Sequence, residues 1–149
     1  MRRPLALPGL SLVALALAAT LGLAPTSAGA AQVVARVDLS SQQMTVYVDG
    51  RPRYDWNVST ARRGYRTPVG SYRPTRMHKM WYSRKYDMAP MPNAVFFRGG
   101  YAIHGTPHVR SLGRPASHGC IRLAPANART LYQLIGQRGM KNTRVVITR

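Results

Sequence analysis

The chain has 149 residues, enough for one ordinary domain and too few for two with well-buried cores. It carries 22 Lys and Arg against four acids (Asp38, Asp49, Asp55 and Asp87), for a formal charge of +18. So few carboxylates disfavour acid-pair glycoside chemistry, one Cys excludes a disulfide scaffold or a four-cysteine zinc module, and 45% hydrophobic residues exclude a disordered basic tail as the source of the charge.

Residues 1–30 read as a leader rather than as fold. Arg2 and Arg3 make a positive start, Leu10 to Leu23 is an apolar run, and Ala28-Gly29-Ala30 offers small residues at a spacing a signal peptidase reads. The run is short for a membrane span, which takes about 20 residues. A cleaved signal peptide is expected, with an uncleaved N-terminal anchor as the alternative if Leu5 to Leu23 acts as one stretch. Both place residues 31–149, read as a single domain, outside the cytosol in the periplasm or cell envelope. This remainder keeps 20 basic residues and a net charge of +16.

After the leader, strands dominate. Gln32 to Asp38 and Gln43 to Val48 alternate apolar and polar residues, with Ser40-Ser41 as the turn between them and Asp49-Gly50 as a hairpin signal after them. Arg53 to Ser59 is a third strand candidate, Arg62 to Gly70 a loop, and Ser71 to Met77 a further strand. From Met77 to Asn93 periodicity is lost, although the segment holds Met77, Met80, Met88, Met91, Trp81, Tyr82 and Tyr86. It reads either as a surface loop tucking apolar side chains onto the body or as a mobile lid lining a groove for an extended ligand. Ala94 to Phe97 and Tyr101 to His104 form a strand pair around Gly99-Gly100. Pro125 to Gln137 is the one good helix, with Leu131, Leu134 and Ile135 at helical spacing and Gly136 or Gly139 to end it. Val145 to Thr148 is a last strand. The pattern predicts a mainly β, sandwich-like domain with one C-terminal helix.

The chemistry concentrates between His104 and Arg122. Cys120 is the only thiol, and three of the four His (His104, His108 and His118) lie within sixteen positions of it. A lone Cys is more often a small buried hydrophobe or an intermolecular bridge, but this context favours a nucleophile, since a thiol needs a nearby base or cation to react as thiolate. His104 ends an apolar strand, so its ring direction can be fixed. Pro107, Gly113 and Pro115 let the chain double back and bring Cys120 opposite it. Gly119 gives backbone freedom before the sulfur, and the amides of His118, Gly119 and Cys120 can form an oxyanion pocket. Arg122 adds positive charge beside the thiol or holds a substrate carboxylate. No acid lies in the segment, so a backbone carbonyl would orient the base. The rival reading is zinc held by His104, His108, His118 and Cys120, disfavoured by the absence of a nearby carboxylate to orient the imidazoles. No metal and no cofactor is expected.

Ser117-His118-Gly119-Cys120-Ile121-Arg122-Leu123, preceded by Ile103-His104-Gly105-Thr106, resembles the signature of the L,D-transpeptidase family, the YkuD-like catalytic domain. The likeness extends to the opening strand pair, Thr67-Pro68-Val69-Gly70 and the closing helix and strand, and covers roughly residues 32–149. It implies a β-sandwich-like domain acting on peptidoglycan stem peptides. Its cysteine attacks the third stem residue, usually diaminopimelate, expels D-alanine and leaves a thioester. An amine then takes the acyl group, from a second stem for a 3→3 cross-link or from a lysine of an anchored envelope protein. Water as acceptor would make an L,D-carboxypeptidase, and carbapenems acylate many members at the sulfur. Carried over by position, Cys120 is the nucleophile and His104 the base. His118, Gly119, Ser117 and Gly105 shape the oxyanion loop, and Arg122 supports the site or binds a substrate carboxylate. His108 has no counterpart and reads as a solvated loop residue. His118 alternatively pins the loop by a hydrogen bond.

The charge suits a polyanionic wall. It also supports a second reading, a non-catalytic basic module that binds cell wall. Nucleic acid is disfavoured by the leader and by the lack of a recognition motif. No pattern signals an oligomeric state.

Overall fold

Period-two alternation builds the first sheet. The computed structural model describes residues 31–149; the expected leader lies outside the described residues. β1 (Val33–Asp38) and β2 (Gln43–Val48) pair antiparallel from Val33 against Val48 to Asp38 against Gln43. Val33, Ala35, Val37, Met44 and Val46 are buried because successive side chains of a strand take opposite faces. The Asp38 carboxylate accepts the Ser40 and Ser41 amides and shapes the turn. β3 (Arg51–Asn57) joins the outer side of β2. β9 (Thr143–Thr148) runs parallel to β1, and β4 (Gly70–Tyr72) closes the order β3-β2-β1-β9-β4.

The second sheet has the order β5-β6-β7-β8, formed by Arg76–Ser83, Ala89–Arg98, Tyr101–Gly105 and Ile121–Leu123. Its pairings are antiparallel except β7 with β8, which run parallel. α1 (Pro125–Arg138) starts on Pro125, where a missing N–H costs nothing, and buries Ala128, Leu131 and Ile135. It packs against β6, β7 and β1 and closes the main core. Gly139, at φ +88°, ends it. Val95, Phe97, Ile103, Ile121 and Leu123 point into that core, whereas Ala94, Phe96 and Ala102 form a second cluster on the other face of the sheet, with Trp81 and Cys120 packed against it. Among the described residues, two sheets and one α-helix give the expected mainly β architecture.

Three elements differ from the sequence reading. The segment taken as aperiodic from Met77 to Asn93 is a β-hairpin, β5 and β6 joined through residues 84–88. Near its tip neither face meets the main core, so Met80, Tyr82 and Met88 stay exposed and no alternation is imposed. Asn93, at φ +53°, also breaks the register of sides along β6. The strand expected over Ser71 to Met77 is two strands in two sheets, parted around Pro74, which has no N–H for a ladder. Ile121–Leu123 is a strand that the motif around it concealed. Among the described residues, no helix is long and apolar enough to cross a membrane.

Candidate active site

The outer face of the second sheet carries its side chains in rows. Arg76 pairs with Phe96 and Phe96 with Ala102; extending the β7–β8 register by one residue puts Cys120 beside Ala102. The next row holds His78 against Ala94 and His104 against Arg122. Parallel pairing thus places Cys120 and His104 as diagonal neighbours on one face, while Ile103, Ile121 and Leu123 are buried on the other. Both residues line one groove of about 730 Å³, together with His118, Arg122, Tyr86 and Arg76.

His104 is buried, and its Nδ1 lies 2.7 Å from the Gly105 carbonyl oxygen. A carbonyl only accepts, so Nδ1 carries the proton and Nε2 keeps its lone pair. Burial pulls the imidazole pKa down to about 4, against the opposing pull of the Gly105 hydrogen bond, and the Arg122 charge pushes it further the same way. At neutral pH the ring is an uncharged base. Cys120 is half-buried and its thiol donates to the Gly100 carbonyl at 3.7 Å. Burial pushes its pKa up, while the Ala102 amide and Arg122 favour the thiolate. The resting pair is therefore neutral thiol and neutral imidazole.

The turn that delivers the sulfur is tied on every side. The Ser117 hydroxyl accepts the Gly119 amide at 3.0 Å and donates to the Cys120 carbonyl at 2.6 Å. Thr67 Oγ1 donates to the Gly119 carbonyl at 2.8 Å and accepts the Ala61 amide at 3.1 Å. Thr60, whose amide donates to Gln42 Oε1, accepts the amides of Ala116 and Ser117. Ser59 and Arg122 exchange backbone hydrogen bonds, and Arg122 Nη1 donates to the Ala116 carbonyl at 3.4 Å. Gly119 sits at φ +129°, and a Cβ there would lie 2.7 Å from the Tyr101 ring and 2.9 Å from the Arg66 carbonyl oxygen, so only glycine fits. At Gly105 a Cβ would come within 3.1 Å of Pro92.

Among the sequence-selected residues, Cys120, His104, His118, Ser117 and Arg122 all line the groove, and Gly105 and Gly119 supply the close backbone beneath it. The structure corrects one expected role: the Gly119 N–H is taken by the Ser117 hydroxyl, so it is not a free oxyanion donor. His118 makes aromatic rather than pinning polar contacts. Its ring stacks on Tyr86 from the hairpin tip at 4.2 Å and 15°, and meets the edge of Tyr65 at 4.7 Å. Partial burial, then Arg62, Arg122 and Lys85, hold its pKa below the usual histidine value. His108 is exposed as expected, on the groove rim. The zinc set is not assembled: among the described residues no three His, Cys, Asp or Glu side chains group as metal ligands. Sequence reasoning named Tyr86 only as one of the aromatic residues of the segment from Met77 to Asn93, and missed Ser59, Thr60, Gln42, Tyr65 and Arg76; the only local signal was the polar run Ser59-Thr60 closing a strand.

The YkuD family model, described as the L,D-transpeptidase catalytic domain, matches residues 32–147. No curated protein matches the chain. Among solved structures, an L,D-transpeptidase from Xylanimonas cellulosilytica is 28% identical with a TM-score of 0.68, covering 84% of this chain and 64% of its own. One from Stackebrandtia nassauensis is 26% identical with a TM-score of 0.69, covering 79% of this chain and 56% of its own. L,D-transpeptidase 3 from Mycobacterium tuberculosis, in complex with a faropenem-derived adduct, is 23% identical with a TM-score of 0.67, covers 79% and 60%, and shares the fold. The chain spans less than two thirds of the length of each. A family match from residue 32 to residue 147, on a fold shared with these proteins, makes this chain a member of the YkuD family, the L,D-transpeptidase catalytic domain.

Proposed function

We propose that the protein is a cysteine-dependent L,D-transpeptidase of peptidoglycan stem peptides. The observation that carries the reading is the placement of the sole thiol and a neutral, carbonyl-oriented imidazole on one sheet face beneath one groove. In the first half-reaction Cys120 Sγ attacks the carbonyl carbon of the third stem residue while Nε2 of His104 takes the thiol proton. The Cys120 and His118 amides hold the oxyanion, with Ser117 keeping the turn in shape. The intermediate collapses, Nε2 returns its proton to the departing nitrogen, and D-alanine leaves a thioester on Cys120. In the second half an amine attacks that thioester, gives its proton to Nε2, and the thiol is regenerated.

The acceptor in this reading is a diaminopimelate amine of a second stem, giving a 3→3 cross-link, or a lysine of an anchored envelope protein. The test is mass spectrometry of purified muropeptides incubated with the protein, with and without a carbapenem. The expected products are free D-alanine, a cross-linked dimer and a carbapenem adduct confined to Cys120. Release of D-alanine with no dimer, only tripeptide, would make the protein an L,D-carboxypeptidase. Sacculus binding with neither release nor adduct would leave the non-catalytic wall binder.

Residues 1–30 belong to the same proposal as an export signal. N-terminal sequencing of the protein recovered from the cell envelope should begin at Ala31. A Met1 start in that fraction would mark an anchor.

A further inference from the structure

The row that ends in Cys120 begins with a cation. Arg76 on β5 lies beside Phe96, Phe96 beside Ala102, and Ala102 beside Cys120; Arg76, Phe96 and Cys120 line the groove and Ala102 is buried. Arg76 is exposed, and its guanidinium folds back over the sheet. Its carbon lies 3.8 Å from the centroid of the Phe96 ring and 5.7 Å from that of Trp81. Arg76 Nη1 donates to the Gly99 carbonyl at 3.4 Å, one residue from the Gly100 carbonyl that accepts the Cys120 thiol. His78 meets Trp81 at 4.8 Å and Phe96 at 6.0 Å and props the aromatic floor from the neighbouring row. A guanidinium resting on a ring face keeps its remaining N–H groups available for a carboxylate, which it binds two-pronged. No carboxylate of the protein occupies it: the one ion pair among the described residues joins Arg138 and Asp49. Ala102, fully buried, is the one residue of the row between Phe96 and Cys120.

We infer that Arg76 is a specificity-determining residue that reads a free side-chain carboxylate on the acyl-donor residue. The inference rests on the transpeptidase reading above and names the donor that this groove selects. The spacing supports it. Phe96 and Cys120 are two strand intervals apart, about 10 Å. The two carboxyl carbons of an extended diaminopimelate are about 7.5 Å apart, given six bonds of about 1.5 Å. The hydrogen bond to the guanidinium and the approach of sulfur to carbonyl take up the remainder. A lysine donor has a terminal ammonium but no side-chain carboxylate, so it would bring only a like charge to Arg76, and an amidated donor would lose the ionic pairing.

The test crosses protein and substrate changes. Initial rates of D-alanine release are measured for wild type, Arg76→Gln and Arg76→Lys. Each is given three tetrapeptide donors, with diaminopimelate, diaminopimelate amidated at its distal carboxylate, or lysine in third position. Wild type should prefer the free carboxylate over the amide by about tenfold to a hundredfold in kcat/KM. Arg76→Gln should bring that ratio below about threefold, and Arg76→Lys should restore part of it. A ratio that stays the same in Arg76→Gln while the carboxylate donor is turned over normally would overturn the inference and leave the transpeptidase reading standing. Failure of wild type to release D-alanine from any donor would instead overturn that reading and this inference with it. Misfolding is read separately: a lower melting temperature for Arg76→Gln scales all three donors together, whereas lost selectivity changes only their ratio.

Discussion

Cys120 and His104 owe their protonation states to burial more than to each other. Cys120→Ala should abolish D-alanine release while leaving sedimentation with sacculi intact, because it removes one small groove atom and none of the basic surface. In the proposed mechanism the His104 imidazole must be neutral to act. The rate of thiol acylation should therefore rise with pH through an inflection near 4, well below that of an ordinary histidine, and then stay level through neutrality. A stopped assay against a carbapenem between pH 3.5 and 8 checks this. Stability follows the same group. The folded imidazole holds its proton more weakly than the unfolded one, so the unfolded state binds more protons between pH 4 and 6.5, and stability falls as pH drops through that window. The loss amounts to about 3 kcal/mol at most. Urea unfolding at pH 7 and pH 4.5 should show a larger difference for wild type than for His104→Gln. Gly119→Ala should cost about 2 kcal/mol or more, because the new methyl meets a ring and a backbone oxygen at a positive φ. Both the urea midpoint and acylation should fall.

The hairpin of β5 and β6 is the element that shapes the groove. Its tip is held to the sulfur-bearing turn by Tyr86 on His118, a stack of a kind worth about 1 kcal/mol. Tyr86→Ala should slow acylation several-fold, and amide exchange over residues 84–88 should be faster in this variant than in wild type. In wild type, exchange there should slow when a donor or carbapenem binds; no change would make the tip plain surface packing. This hairpin is also where the sequence was least legible. Strands facing the main core announce themselves by alternation, as Val33, Ala35 and Val37 do. Near the hairpin tip both faces see water or groove, so the pattern vanishes although the ladder persists. The site itself was legible for the opposite reason. Cys120 and Arg122 share a face by spacing alone, and His104 closes an apolar strand. Their support from Gln42, Thr60 and Thr67 was hidden, because hydrogen bonds across 18 or 52 positions leave no local trace.

Across the whole molecule the charges are nearly all of one sign, 22 basic residues against four acids. Asp49 pairs with Arg138 at 3.2 Å, and most of the remaining cations are left to attract an anionic partner. Association with sacculi should weaken steeply between about 50 and 500 mM salt, as screening shortens to a few ångströms. Turnover of a short soluble stem peptide should change far less over that range. Measuring both separates long-range attraction to the wall from chemistry in the groove.

The parallel pairing of β7 with β8 has a temporal consequence. Parallel neighbours cannot zip from a tight turn, so residues 106–120 must complete their detour before sulfur and base can meet. Catalytic competence would then trail bulk compaction during refolding and serve as a late clock for it. A protease nick among residues 109–115 would put Cys120 and His104, the proposed nucleophile and base, on separate fragments joined only by non-covalent contacts, so that mild denaturant would silence the nicked form before it unfolded the intact one.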